Sequence, residues 1–130
     1  MKKIILFFIL ILISGCGIQG MTVIEPSLTL TTDKEVYHSG EIIHITSIIN
    51  SPIEANASIK FYGIHASRYR LDQTFPINLN KGKNTVTVDY TSPRCNVCGG
   101  IREGTYQISA DLIYNNEVYL NSSIDVEIKQ

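Results

Sequence analysis

The sequence lacks the signatures by which small enzymes and nucleic-acid binders are usually read. No Gly-x-Ser-x-Gly, His-Glu-x-x-His, P-loop or calcium-loop motif occurs, and these are the short patterns that fix a nucleophile, a zinc pair, a phosphate cradle or a calcium ligand set. The twelve acidic residues are scattered, with no pair whose spacing marks the two carboxylates of a glycoside hydrolase. Basic residues are no better grouped. Arg68-Tyr69-Arg70 is the densest positive spot, whereas a binder of DNA or RNA needs a basic patch to neutralise phosphates. Isolated surface charges contribute little, so this run is expected in a solvated loop. Neither a nucleic-acid partner nor an enzymatic activity nor a cofactor is expected. Helical periodicity is also missing: past Ile13 no window repeats apolar residues at three- and four-residue spacing, and essentially no helix is predicted there.

What the sequence does have begins at its start. Lys2 and Lys3 precede an unbroken apolar run, Ile4 to Ile13, and small residues then lead to a cysteine in Ile13-Ser14-Gly15-Cys16. That is the three-part layout of a secretory signal. Ten apolar residues reach only about half of a hydrocarbon core that takes ~20 to span, so the segment is expected to be cut off. Ile13 to Cys16 resembles the lipobox of prokaryotic lipoproteins. The resemblance implies that diacylglycerol is attached to Cys16 and that cleavage makes Cys16 the first mature residue, with the membrane as a partner through that lipid. The expected organisation is then a signal peptide over 1–15, a tether over 16–27 and one domain over 28–130. The resemblance implies an extracytoplasmic location. This is the outer face of the only membrane or, with Gly17 rather than Asp after the cysteine, the outer membrane where the source has two.

Removing residues 1–15 from the 130 leaves 115, enough for one domain. Lys2 and Lys3 leave with the signal, so eleven Lys and Arg fall to nine against twelve Asp and Glu, a net charge of −3. Once Cys16 is assigned to the lipid, two cysteines remain: Cys95 and Cys98, in Ser92-Pro93-Arg94-Cys95-Asn96-Val97-Cys98-Gly99-Gly100. An even pair in an oxidising compartment suits a local disulfide in a surface loop between two strands. Two other uses stay open. One is a metal site, although zinc takes four ligands and the pair gives two, with His38, His44 and His65 at no ligand spacing; the other is thiol redox chemistry, although the helix that carries such centres is missing. His44 stands mid-strand among isoleucines with no carboxylate or nucleophile placed near it by spacing, so a satisfied ring is expected. Asn56-Ala57-Ser58 and Asn121-Ser122-Ser123 are glycosylation sequons, making Asn56 and Asn121 candidate sites where the source modifies asparagine.

From Leu28 onward the chain turns to short runs of Ile, Val, Thr and Tyr broken by Gly, Asn and Pro about every ten residues, the pattern of a sandwich or barrel. Leu28 and Leu30 alternate with threonines. Glu41 to Asn50 is apolar on both faces, which predicts a central, covered strand. Ala57 to Gly63 is half-buried by alternation, Tyr69 to Gln73 before Pro76 suits an irregular edge strand, and Val86, Val88 and Tyr90 alternate with Thr85, Thr87 and Asp89. Tyr106, Ile108, Ala110, Leu112 and Tyr114 are assigned to the core, with Gln107, Ser109, Asp111 and Ile113 outward. Asn115-Asn116 then supplies a two-residue turn into Val118, Leu120, Ile124, Val126 and Ile128.

About seven strands in some hundred residues match an immunoglobulin-like or fibronectin-type-III-like sandwich. Thr32 to Glu41, Thr-Asp-Lys-Glu-Val-Tyr-His-Ser-Gly-Glu, resembles the opening of macroglobulin-type Ig-like domains, and Gly104-Thr105-Tyr106 is similar to the Gly-x-Tyr that opens a late strand in the same group. The resemblance implies an all-β, Ig-like fold and little about function, since such domains are mostly spacers and interaction surfaces. The expectation is a lipid-anchored surface module that contacts a protein, a glycan or its own copies. The alternative is a metal- or redox-handling lipoprotein built on Cys95 and Cys98.

Overall fold

In a computed structural model, residues 23–95 and 100–130 are described. The expected signal, the lipobox with Cys16, and Cys98 lie outside them. Eight strands follow one another: β1 (Ser27–Thr32), β2 (Val36–His38), β3 (Ile42–Ser51), β4 (Ala55–Ala66), β5 (Arg68–Leu79), β6 (Gly82–Thr91), β7 (Gly104–Tyr114) and β8 (Glu117–Lys129). They form a three-stranded sheet in the order β1-β3-β6 and a five-stranded sheet in the order β2-β8-β7-β4-β5. No helix occurs among the described residues, as the missing periodicity predicts. All neighbours are antiparallel except β2, which runs parallel to β8.

Period-two alternation builds the core between the sheets. Ile43, Ile45 and Ile49 of β3 face Ile59 and Phe61 of β4, Ile108, Ala110 and Leu112 of β7, and Val126 and Ile128 of β8, all inaccessible to solvent. Alternating residues point to opposite faces, so the inward assignment of Ile108, Ala110 and Leu112 is correct. The Asn115-Asn116 turn is also as expected: both residues have positive φ, 52° and 62°, as a two-residue hairpin needs to match the strand twist. β5 does lie at a sheet edge, where Pro76, which has no N–H to give, is tolerated.

Three details differ from the sequence reading. β3 is central in its sheet but covered on one face only, and Ile42 on the other face is 47% exposed. A three-stranded sheet packed on one partner needs only one apolar face, and the isoleucines at even positions are not core residues. Ser109 points outward as assigned, yet it is buried. It stands on the outer face of the five-stranded sheet beside its ladder partners Tyr62 and Ser123, and shares a 2.8 Å hydrogen bond with the Ser123 hydroxyl. The eighth strand, β2, is three residues long, too short to carry a period.

Residues 33–35 carry the chain from the first sheet to the second, and a polar latch holds them. The fully buried Tyr37 donates its hydroxyl to the Asp33 carboxylate at 2.5 Å and accepts from the Lys34 amide at 2.9 Å. Asp33 also accepts from the His44 amide at 3.2 Å, tying the crossing to β3.

Replacing Ile108 by alanine is expected to cost ~2–4 kcal/mol, the loss for a buried aliphatic chain. Ser109→Ala is expected to cost about 1 kcal/mol or less, because the exposed Ser123 hydroxyl can turn to water. Urea unfolding of both variants checks the pair, and similar losses at both positions would mean that the core face is misassigned.

Candidate functional site

The chemically richest region is the end of the sandwich where the β4–β5 hairpin tip meets the β6–β7 connection. Near its end β4 departs from regular strand. The ladder pairs Gly63 with Leu71 and then His65 with Tyr69, leaving Ile64 and Arg70 outside it. Ile64 has φ 50° and is fully buried, a left-handed conformation that costs a β-branched residue and persists only where packing over-determines it. Gly63, at φ 154°, is required: a Cβ there would sit 2.3 Å from the Gln107 carbonyl oxygen and 2.8 Å from the Ile108 Cα. Ser67, at φ 67°, closes the tip.

This irregularity gathers rings that strict alternation would divide between two faces. Tyr69 meets Tyr62 edge to face at 5.4 Å and His65 at 5.0 Å. It is nonetheless 51% exposed. The three line an open cleft with Tyr106 and Gln107. The Tyr62 hydroxyl lies 3.4 Å from the Asp111 carboxylate, and burial, followed by that negative charge, pushes its pKa up. Tyr106 also borders a second cleft, lined by Ser67, Arg70, Gly100 and Arg102. One Arg70 nitrogen donates to the Gly100 carbonyl at 3.5 Å, and the Tyr106 hydroxyl donates to the Arg102 carbonyl at 2.5 Å. Arg68-Tyr69-Arg70 is thus no detached loop but part of a hairpin tip packed beside the cysteine segment.

That segment also differs from expectation. Cys95 is 4% exposed and packs in the core cluster rather than on a surface loop. A parallel bridge between Cys95 and Ile101 folds the connection back on itself, with the Ile101 amide donating to the Arg94 carbonyl at 3.0 Å. The Cys95 amide donates to the Ser39 hydroxyl at 2.8 Å, and the Ser92 hydroxyl to the His38 carbonyl at 2.9 Å. The pairing of Cys95 with Cys98 falls outside the described residues. Asn56 and Asn121 are both exposed, and both sit in strands rather than loops.

His44 has a carboxylate partner after all. The β3–β6 register sets it opposite Asp89, with Nδ1 2.6 Å from the carboxylate. This hydrogen bond and the Asp89 charge raise the histidine pKa. Spacing along the chain hides the pair, because the two residues lie on separate strands. Among the described residues no three His, Cys, Asp or Glu side chains gather closely enough to hold a metal ion.

No protein-family model and no curated protein matches the chain. Solved structures do. The CARDB domain of the PF1109 protein from Pyrococcus furiosus, solved in complex with di-metal ions, superposes with a TM-score of 0.60 at 13% identity, covering 84% of this chain and 96% of that one. The fold is immunoglobulin-like. The sulfur carrier protein SoxY from Chlorobium limicola matches with a TM-score of 0.54 at 10% identity over 80% of each chain. A β-glucosidase from Listeria innocua matches with a TM-score of 0.56 at 19% identity, covering 81% of this chain and 16% of that one. At such identities the likeness establishes the sandwich alone.

Two outcomes check the geometry. Gly63→Ala is expected to destabilise by ~3 kcal/mol or more, since the clash is with backbone that cannot step aside; thermal unfolding reports it. The second outcome concerns pH. His44 has a raised folded-state pKa, so its contribution is full below about pH 6.5 and lost as pH rises through the folded value. The Asp33 pKa is lowered, chiefly by the Tyr37 hydrogen bond, so its contribution is present above about pH 4 and lost on acidification. Melting temperatures across pH should therefore fall at both ends, and Asp89→Asn should remove the alkaline decline alone.

Proposed function

We propose that the chain is a lipid-anchored, extracytoplasmic immunoglobulin-like domain that works as a non-enzymatic interaction module, with its contact surface at the β4–β5 tip and the β6–β7 connection. The observation that carries this reading is the placement of that end. Ser27, where β1 begins, pairs with Asn50 at the far end of β3, whereas Ile42 at the near end of β3 pairs with Thr91, from which the chain enters the cysteine segment. The chain therefore enters the fold at one end and presents Tyr69 and its four arginines at the other. A lipid on Cys16, eleven residues before Ser27, would leave that end facing away from the bilayer. Strands supply the rigid frame and the connections supply the surface, the usual division of labour in such sandwiches.

Cys95 and Cys98 serve as a structural disulfide in this reading. The burial of Cys95 in the apolar cluster favours it, because a disulfide needs no outside atoms, whereas a metal ion or a redox partner would have to reach a sulfur closed to solvent.

Cys16→Ser is expected to release the protein from the detergent phase, or to stall its processing, while leaving the fold intact. Unchanged partitioning and unchanged mass would remove the lipoprotein reading. The non-reduced mature protein should weigh two hydrogen atoms less than the reduced chain whether or not a chelator is present, and reduction should cost ~1–3 kcal/mol for so small a ring. Free thiols with stoichiometric zinc would instead favour the metal-handling alternative.

A further inference from the structure

The chain contains four arginines, Arg68, Arg70, Arg94 and Arg102, and all of them fall in the β4–β5 tip and the β6–β7 connection, at one end of the sandwich. The lysines are distributed otherwise. Lys34 pairs with Glu41, Lys60 with Asp72 and Lys129 with Glu127, while Lys81 and Lys83 stand at the β5–β6 turn, at the opposite end. Among the described residues no ion pair engages Arg68, Arg94 or Arg102. The neighbouring acid, Glu103, accepts from the Gln130 amide at 2.5 Å. A domain of net charge −3 after the expected cleavage thus keeps its lysines for internal pairs and one remote turn, and its guanidinium groups for one end.

We propose that this end binds an acidic saccharide. A guanidinium group offers a planar fork that matches carboxylate, sulfate or phosphate oxygens in pairs, and Arg102 lines an open cleft with Arg70. In the cleft that shares Tyr106 with it, Tyr69 is held edge-on by Tyr62 and His65, at interplanar angles of 80° and 71°, with half its surface in solvent. A propped, amphipathic ring is a platform for the apolar face of a sugar, and Thr105 and Gln107 beside it offer a hydroxyl and an amide to sugar hydroxyls. A peptide anchored by an apolar side chain would need an apolar socket, and neither cleft is one. Nucleic acid would need a basic track longer than one end of an acidic domain. Cation and ring therefore suit a ligand that is charged and cyclic, repeated over a length that covers both clefts.

This inference rests on the reading of the domain as a surface binding module, and its test separates the two. The mature full-length protein is titrated calorimetrically with an oligogalacturonate, a sulfated dextran, neutral dextran, inorganic phosphate and a polyglutamate of matched charge. Binding of the uronate or the sulfated polymer, with the preferred one naming the anionic group, is expected. That binding should weaken about tenfold, or ~1.4 kcal/mol, in Arg102→Gln and separately in Tyr69→Ala, both at exposed positions whose circular dichroism and melting should match the parent. It should persist in Lys81→Gln/Lys83→Gln at the other end. Failure to bind either acidic polymer overturns the proposal, as does equal affinity for phosphate, polyglutamate or neutral dextran, or an equal loss in the lysine variant. A protein that still partitions with membrane through Cys16 but ignores every saccharide removes this inference alone, whereas one that fails to partition removes the module reading beneath it.

Discussion

The hydrogen bond from Tyr37 to Asp33 is the constraint around which the rest is arranged. An Ig-like sandwich must carry its first strand from one sheet to the other, and here three residues do it between β1 and β2. Burying a tyrosine at the crossing provides a large apolar contact, but a phenol without a partner would be costly. Asp33 and the Lys34 amide satisfy it from the same short segment. Everything downstream depends on the resulting position of residues 38–41. Ser39 donates to the Lys129 carbonyl, fixing β8, and its hydroxyl accepts from Cys95; the Glu41 carbonyl accepts from Ser92. The carboxylate of Glu41 holds the His38 amide and the Lys34 ammonium. One buried phenol thereby positions both sheets and the base of the cysteine segment.

That dependence explains which parts of the structure were legible in the sequence. Strands were legible where a covered face forces alternation, as at Ile108, Ala110 and Leu112, and turns were legible where backbone chemistry forces a residue type, as at Asn115-Asn116. β2 was not, because three residues carry no period. Its signal was the Asp-Lys…Tyr…Gly-Glu pattern, which pointed to the fold without disclosing that Asp and Tyr bond each other. The even-numbered isoleucines of β3 misled because hydrophobicity states what a residue tolerates, not whether a second layer exists to cover it. Ser109 misled in the opposite sense: a central strand of a five-stranded sheet is crowded by its neighbours on both faces, even where one face is wet.

The candidate site was legible only in pieces. Arg68-Tyr69-Arg70 and the Cys95 segment were both visible, yet nothing in their spacing said that Arg70 would reach the Gly100 carbonyl. Their meeting requires the β4–β7 register, and that register brings β4 so close to β7 at Gly63 that only hydrogen fits there. The left-handed Ile64 then turns the last residues of β4 so that His65 joins Tyr62 beside Tyr69. An isoleucine is the least expected residue for such a backbone, so local preference argues against the feature that assembles the cluster. His44 and Asp89 follow the same logic, as a pair created by a ladder rather than by neighbouring letters.

The entry of the chain at the far end of β3 has a mechanical side. β1 runs antiparallel to β3 from Ser27 to Thr32, with its rungs perpendicular to both strands. A pull on Ser27 directed away from the β4–β5 tip acts along the axis of β1. Such a load shears all the rungs of the β1–β3 ladder together, whereas a pull across the sheet would part them one after another. A load applied between Ser27 and the β4–β5 tip is therefore borne by the whole first strand at once, so the domain resists extension along that line.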